Sequence, residues 1–209
     1  MSILHNILPS SQKSFDYIGA SSNFVADSRH AALVLFNGAK LRLLDINNWT
    51  KLYEGSHTEF RLTDKYGNLL QTSVPNVGDL IRMRLPILPN SAEERFGWVR
   101  IENFESTKDL LKDEDMFGFC VRSVDGPLDI NAVDADHQYS SEVISYFLLF
   151  RKASTIMAIE RDRDQMAHGT EPSLLKKMKN VLHEILAAMR LSRSRWTRLM
   201  NGLLKPSFN

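Results

Sequence analysis

The 209-residue chain carries one cysteine, Cys120, so neither an intrachain disulfide nor a cysteine-cluster zinc site can form within it. That usage suits a reducing compartment. No apolar run approaches the roughly 18 residues that a membrane span needs. The first residues, MSILHNILPSSQKSFDYIG, lack the basic start and continuous apolar stretch of a secretory signal. A cytoplasmic address with no membrane span is therefore expected. Also missing are a phosphate-binding glycine loop, G-x-G-x-x-G, the G-x-S-x-G elbow and H-E-x-x-H. The six histidines, at positions 5, 30, 57, 137, 168 and 183, are scattered. No catalytic residue, metal site or cofactor is assigned on this basis, and the reading leans away from an enzyme. Net charge is +1, which gives no global reason to expect nucleic acid or a membrane surface as a partner.

What is present is an ordinary globular composition, 43% apolar and 24% charged. Residues 1–27 show no sustained period and read as irregular, with room for a short helix or an edge strand. Residues 28–53 support two readings. Asn37-Gly38 between LVLF and AKLRLL is a hairpin-turn dipeptide, whereas Leu33, Phe36, Leu41 and Leu44 approach a helical face. The alanine and leucine content favours helix, with Trp49 packing at the entrance to the next element.

From residue 59 the period becomes two. Phe60 and Leu62 oppose Arg61. Ile81 and Met83 oppose Arg82 and Arg84. Val99 and Ile101 oppose Trp98 and Arg100, and Phe117, Phe119 and Val121 oppose Cys120 and Arg122. ISYFLLFRK and TIMAIERDR follow, joined by Ala153-Ser154. The chain closes on an amphipathic stripe, Leu175, Met178, Leu182, Ile185 and Met189, and a shorter helix in which Trp196, Leu199, Met200 and Leu203 share a face. Strands in series with short links predict an α+β fold: an antiparallel sheet or small barrel of about six strands, an N-terminal helical region and a long C-terminal helix packed on the sheet. The expected organisation is a single domain with an N-terminal region (1–53), a β region (54–165) and C-terminal helices (170–205).

Candidate sites are few. Cys120 lies mid-strand between Phe119 and Val121, where a small buried hydrophobe is the better reading than a nucleophile. Asp129 and Asp134 to His137 offer hard ligands without calcium-loop spacing, and read as a solvated acidic loop. His57 and Glu59 are read as surface residues. The arginines make the sharper pattern. Arg61, Arg82, Arg84, Arg100 and Arg122 all oppose core positions, so register could bring them onto one binding face, with Glu102 and Glu160 expected to neutralise part of it.

Residues 102–136 hold ten acids and three bases, and residues 174–205 eight bases and one acid. Blocks of this kind suit a protein partner or a homo-oligomer. The segment HEILAAMRLSRSRWTRLMNGLL resembles a bacterial helix-turn-helix, which would place Arg193, Arg195, Thr197 and Arg198 at DNA. Arg190 at the turn, Leu186 at the crossing and Trp196 in the core depart from that pattern. A helix packed by its apolar stripe is favoured, and nucleic acid is not the expected partner.

The order of elements, with LLDINNWTKL before the sheet, resembles the START/Bet v 1 helix-grip superfamily. That resemblance implies an apolar cavity between sheet and helix holding a small apolar ligand. A first strand followed by two short helices is not evident in the N-terminal sequence. WTKLYEG, VGDLIR and WVRIE also resemble an uncharacterised group of bacterial proteins, which implies no function. The function expected first is therefore non-enzymatic binding through the charged sheet face and basic C-terminal helix. A helix-grip carrier or cyclase-like protein is the alternative, and a DNA-binding regulator the third reading.

Overall fold

A computed structural model describes residues 19–52, 59–84, 96–127, 144–163 and 193–206. Seven strands form one antiparallel sheet, curled into a half-barrel: β1 (Gly19–Val25), β2 (Phe60–Thr63), β3 (Leu80–Arg84), β4 (Phe96–Asp109), β5 (Glu114–Val124), β6 (Ile144–Lys152) and β7 (Thr155–Arg163). The spatial order is β1-β7-β6-β5-β4-β3-β2, a meander from β2 to β7 with β1 added beside β7. Between β1 and β2 lie α1 (Arg29–Leu44), one 3-10 turn over Ile46–Asn48 and the short α2 (Trp49–Leu52). The final helix, α3, is Arg193–Leu203. No described helix is long and apolar enough to cross a membrane.

The α+β expectation holds, with one correction to the number of strands. The sheet has a seventh strand, β1, an edge strand in the segment where either a short helix or an edge strand was left open, and it is followed by the two helices that were not evident. The sequence GASSNFV hides this strand because only Ala20 is fully buried, with Phe24 packed behind it. The two readings of residues 28–53 resolve to helix, the one favoured from the sequence. Ser28 caps α1 by accepting from the Ala31 N–H at 3.1 Å, and Ala32, Leu35, Phe36, Ala39 and Leu43 turn inward at helical spacing. Asn37 and Gly38 fall in mid-helix, where the glycine costs about 1 kcal/mol against alanine; the buried stripe outweighs it. The amphipathic stripe of 175–189, with Asp129, Asp134–His137 and His57, lies outside the described residues.

The inward faces of the strands and the helices share one core. Phe60, Leu62, Ile81, Met83, Val99, Ile101, Phe117 and Phe119 meet Leu43, Ile46, Trp49, Leu199, Met200 and Leu203 there. Each such side chain contributes about 1.5–3 kcal/mol of burial before entropy. Helix α3 lies chiefly over β1 and β7. Its C-terminal carbonyl at Leu203 accepts from Arg42 Nε and Nη2, at 2.9 and 2.6 Å, so α1 caps α3. Gly202 is where α3 crosses α2, because a methyl group there would collide with the Leu52 carbonyl.

At one end of the sheet a buried ion cluster ties two hairpins together. Arg151 donates from Nε to Asp115 at 2.7 Å, from Nη2 to Asp113 at 2.7 Å and from Nη1 to the Ala153 carbonyl at 2.9 Å. Asp113 and Ala153 both adopt positive φ, 53° and 52°, and the Ala153 N–H donates to the Asp113 carbonyl at 3.0 Å. Arg29, the first residue of α1, brings Nε to 3.6 Å from the second Asp113 oxygen.

Two outcomes follow from this packing. Gly202→Val should lose about 1–3 kcal/mol in urea unfolding followed by circular dichroism; unchanged stability would mean that α3 does not cross α2 there. The Arg151 guanidinium holds the Asp113 carboxyl below the ordinary value of 3.8. An aspartate depressed in the folded state stabilises above the unfolded value and loses that contribution as pH falls through the folded one. Stability should therefore decline as pH drops below 3.8, and the decline should be shallower in Asp113→Asn. Parallel curves for the two proteins would remove Asp113 from the acid response.

Candidate ligand-binding face

The register places one row of side chains straight across the concave face. Phe104 on β4 pairs with Phe119 on β5, Phe119 with Phe147 on β6, Phe147 with Glu160 on β7, and Glu160 with Ala20 on β1. Consecutive rings lie 5.5 Å (Phe104–Phe119) and 5.4 Å (Phe119–Phe147) apart at their centroids. Those spacings are within the range of favourable aromatic pairs.

Two tryptophans stand over this row. Trp49 lies nearly parallel to Phe119, with centroids at 6.4 Å, and 5.4 Å from Phe147. Trp196 of α3 meets Phe147 edge-on at 5.3 Å and Phe60 at 6.1 Å. Local hydrogen bonds hold Trp49 in place: its Nε1 donates to the Leu43 carbonyl at 3.1 Å and the Arg42 carbonyl at 3.2 Å. Beside it Asn47 ties the 3-10 turn to the sheet, accepting from the Leu62 N–H at 2.9 Å and donating to the Leu70 carbonyl at 2.8 Å.

Among the described residues three charged side chains are buried: Asp115, Arg151 and Glu160. The first two hold each other. Glu160, 3% exposed, shares the inward parity of Ile156 and Ala158, and its Oε2 accepts from the Ala20 N–H at 3.3 Å. This corrects the expectation that Glu160 neutralises the arginines; it stands on the opposite face from them.

The outer face divides in two. Arg61, Arg82, Arg84, Arg100 and Arg122 all have the outward parity, spread over β2 to β5. Arg61 is directly opposite Arg82, and Arg100 opposite Arg122. Trp98 pairs with Arg82 and Phe96 with Arg84, and Leu80 stands opposite Arg100, so the row is broken by apolar rungs. Like charges face to face are unfavourable in a sheet, and carboxylates offset them. Glu102, at the β-bulge of β4, accepts from Arg100 at 2.8 Å and from Arg122 at 3.2 Å, and Glu59 pairs with Arg61 at 2.8 Å. Arg82 rests over the Phe96 ring at 4.7 Å.

Toward β7 the outer face turns apolar, with Met116, Cys120, Tyr146 and Leu148 buried together. Burial raises the Cys120 thiol, and the carboxylates of Glu102 and Glu105 act in the same direction. The crevice beside Cys120, about 10 Å³, has room for no more than one water. A raised thiol in so small a space is poorly suited to nucleophilic chemistry. His30, on the first turn of α1, is exposed, and the described residues hold no group of three metal-ligating side chains.

Of the C-terminal candidates, Arg198 is exposed on α3, whose Leu199, Met200 and Leu203 are buried in the core. The side chains of Arg193 and Arg195, and the first helix of the helix-turn-helix reading, lie outside the described residues. Phe104 and Phe147 were not singled out from the sequence, and Glu160 was read only as a neutralising partner of the arginines. Glu160 was legible in TIMAIERDR, where it follows Ile156 and Ala158 at a spacing of two.

No family model matches the chain, and no curated protein matches it. Among solved structures it is similar to the KanY protein, at 12% identity over 90% of this chain and 96% of that one, with a TM-score of 0.38. It is also similar to Ara h 8.0201, at 10% identity over 84% and 96% with a TM-score of 0.32. A third is major latex-like protein 151 from Panax ginseng, at 8% identity over 84% and 96% with a TM-score of 0.30. The strand order, rather than these likenesses, carries the fold.

Proposed function

We propose that this chain is a helix-grip binding protein that takes an apolar, ring-containing small molecule on the concave face of its sheet. The observation that carries the reading is the in-register row Phe104, Phe119 and Phe147, with Trp49 and Trp196 above it. Apolar ligand sites are concave surfaces of aromatic and aliphatic side chains with few polar groups, and this face has that composition. The sequence order β1, two helices, six strands and a terminal helix supports the same reading, because it leaves the concave side to be closed by helices rather than by a second sheet. Such a protein needs no catalytic group to act as a carrier.

The test is titration with the neutral fluorophore N-phenyl-1-naphthylamine. Saturable one-to-one binding is expected, weakened at least fivefold in Phe147→Ala under conditions where the variant remains folded. Absence of saturable binding, or equal binding by the variant, would remove the concave site.

A second reading keeps the outer arginines as a docking surface for an acidic protein partner or a second copy. It is supported by Arg82 and Arg84 standing half-buried among Phe96 and Trp98, a mixture common at protein interfaces. Charge reversal of Arg84 and Arg100 should leave the fold intact and abolish any salt-sensitive self-association seen in sedimentation velocity. A species distribution identical to that of the unmodified chain would end this second reading.

A further inference from the structure

Phe60, Phe119 and Phe147 are each no more than 3% exposed. A guest meets these rings only where a side chain of the protein gives way. Two indoles stand over them, and they are held differently. Trp49 is 1% exposed, and its Nε1 donates to the Leu43 and Arg42 carbonyls. Displacing it would strip a buried donor of its acceptors. Trp196 is only partly buried and belongs to the first turn of α3. The first turn of a helix lacks intrahelical acceptors for its N–H groups and frays before the rest. Further along, Leu199, Met200 and Leu203 are fully buried, and Arg42 holds the Leu203 carbonyl. The body of α3 is thereby anchored while the turn that carries Trp196 is the part free to yield. Its indole meets Phe147 edge-on at 5.3 Å and Phe60 at 6.1 Å. Edge-to-face packing draws on the ring quadrupoles, so another aromatic ring regains there what a saturated one does not.

We propose that Trp196 occupies the ring subsite of the ligand, between Phe60 and Phe147, and that a planar fused-ring aromatic compound binds by displacing this indole toward solvent. This rests on the reading of the concave face as the ligand site, and adds the place and the ring system of the guest. Binding is a non-covalent exchange of one ring for another. A site filled by its own side chain most of the time binds more weakly by the fraction that is open. Removal of the indole therefore raises affinity. A Trp196 that forms a fixed wall of the site predicts the opposite sign, because its removal takes away a contact.

Calorimetry with 1-naphthol and its saturated counterpart, decahydro-1-naphthol, measures both parts. The unmodified chain should bind 1-naphthol about fivefold more tightly than the saturated compound, and Trp196→Ala should bind 1-naphthol about tenfold more tightly than the unmodified chain does. In the unmodified chain labelled with 5-fluorotryptophan, the Trp196 resonance, assigned by its loss in Trp196→Phe, should gain a solvent isotope shift as 1-naphthol saturates. Equal or weaker binding by Trp196→Ala, equal affinity for the two probes, or a Trp196 that stays shielded at saturation would overturn the proposal and leave the concave site standing. Binding by the variant alone would mark a cavity made by the substitution and would also overturn it. If Trp196→Ala does not fold, the isotope shift decides in its place. No binding of either probe by either protein would remove the site itself.

Discussion

The indole of Trp49 is the contact on which the arrangement depends. It is 1% exposed, its N–H is satisfied by the end of α1, and its ring lies against Phe60, Phe119 and Phe147 from three different strands. A buried indole contributes both its large apolar area and a directional hydrogen bond, so one residue fixes the distance and the angle between the helical segment and the sheet. The other joints follow from it. Asn47 and Thr50, close by in sequence, bond to the backbone of β2, and α2 then offers its Leu52 carbonyl to the crossing at Gly202. The cap from Arg42 to the Leu203 carbonyl completes a connection from α1 to α3 without a long-range strand pairing.

The sheet was more legible than the helices because a half-buried strand has only two faces. Ile81 and Met83 against Arg82 and Arg84 can be sorted without knowing the partner strands. Parity fails where the chain departs from ideal pleating. Phe104 shares the even parity of Trp98 and Arg100, and would face outward but for the bulge between Ile101 and Asn103, which turns it into the core beside Phe119. β1 was left undecided between a short helix and an edge strand because a strand of serine, asparagine and glycine has little alternation to read. Glu160 was misplaced for a different reason: its charge suggested the arginine face, whereas its spacing from Ile156 and Ala158 pointed inward. The mixed signal at Asn37-Gly38 shows tertiary burial overriding a local turn preference, since a hairpin there would have exposed Phe36 and Ala39.

The two faces of one sheet offer different chemistry. Outside, each arginine described in an ion pair has a glutamate within reach, and surface pairs of this kind stabilise little and hold charge in check. Inside, the aromatic row is apolar, and in register it ends at Glu160. This contrast moves the weight of the functional reading from the charged exterior to the concave interior.

The three tryptophans allow the faces to be told apart in one experiment, because Trp49 and Trp196 stand over the concave row whereas Trp98 has the outward parity. Fluorine NMR of protein labelled with 5-fluorotryptophan, titrated with an apolar aromatic ligand, reports on all three at once. The account predicts saturable shifts of the Trp49 and Trp196 resonances with Trp98 unmoved. A shift confined to Trp98, or no shift of any resonance, would contradict it.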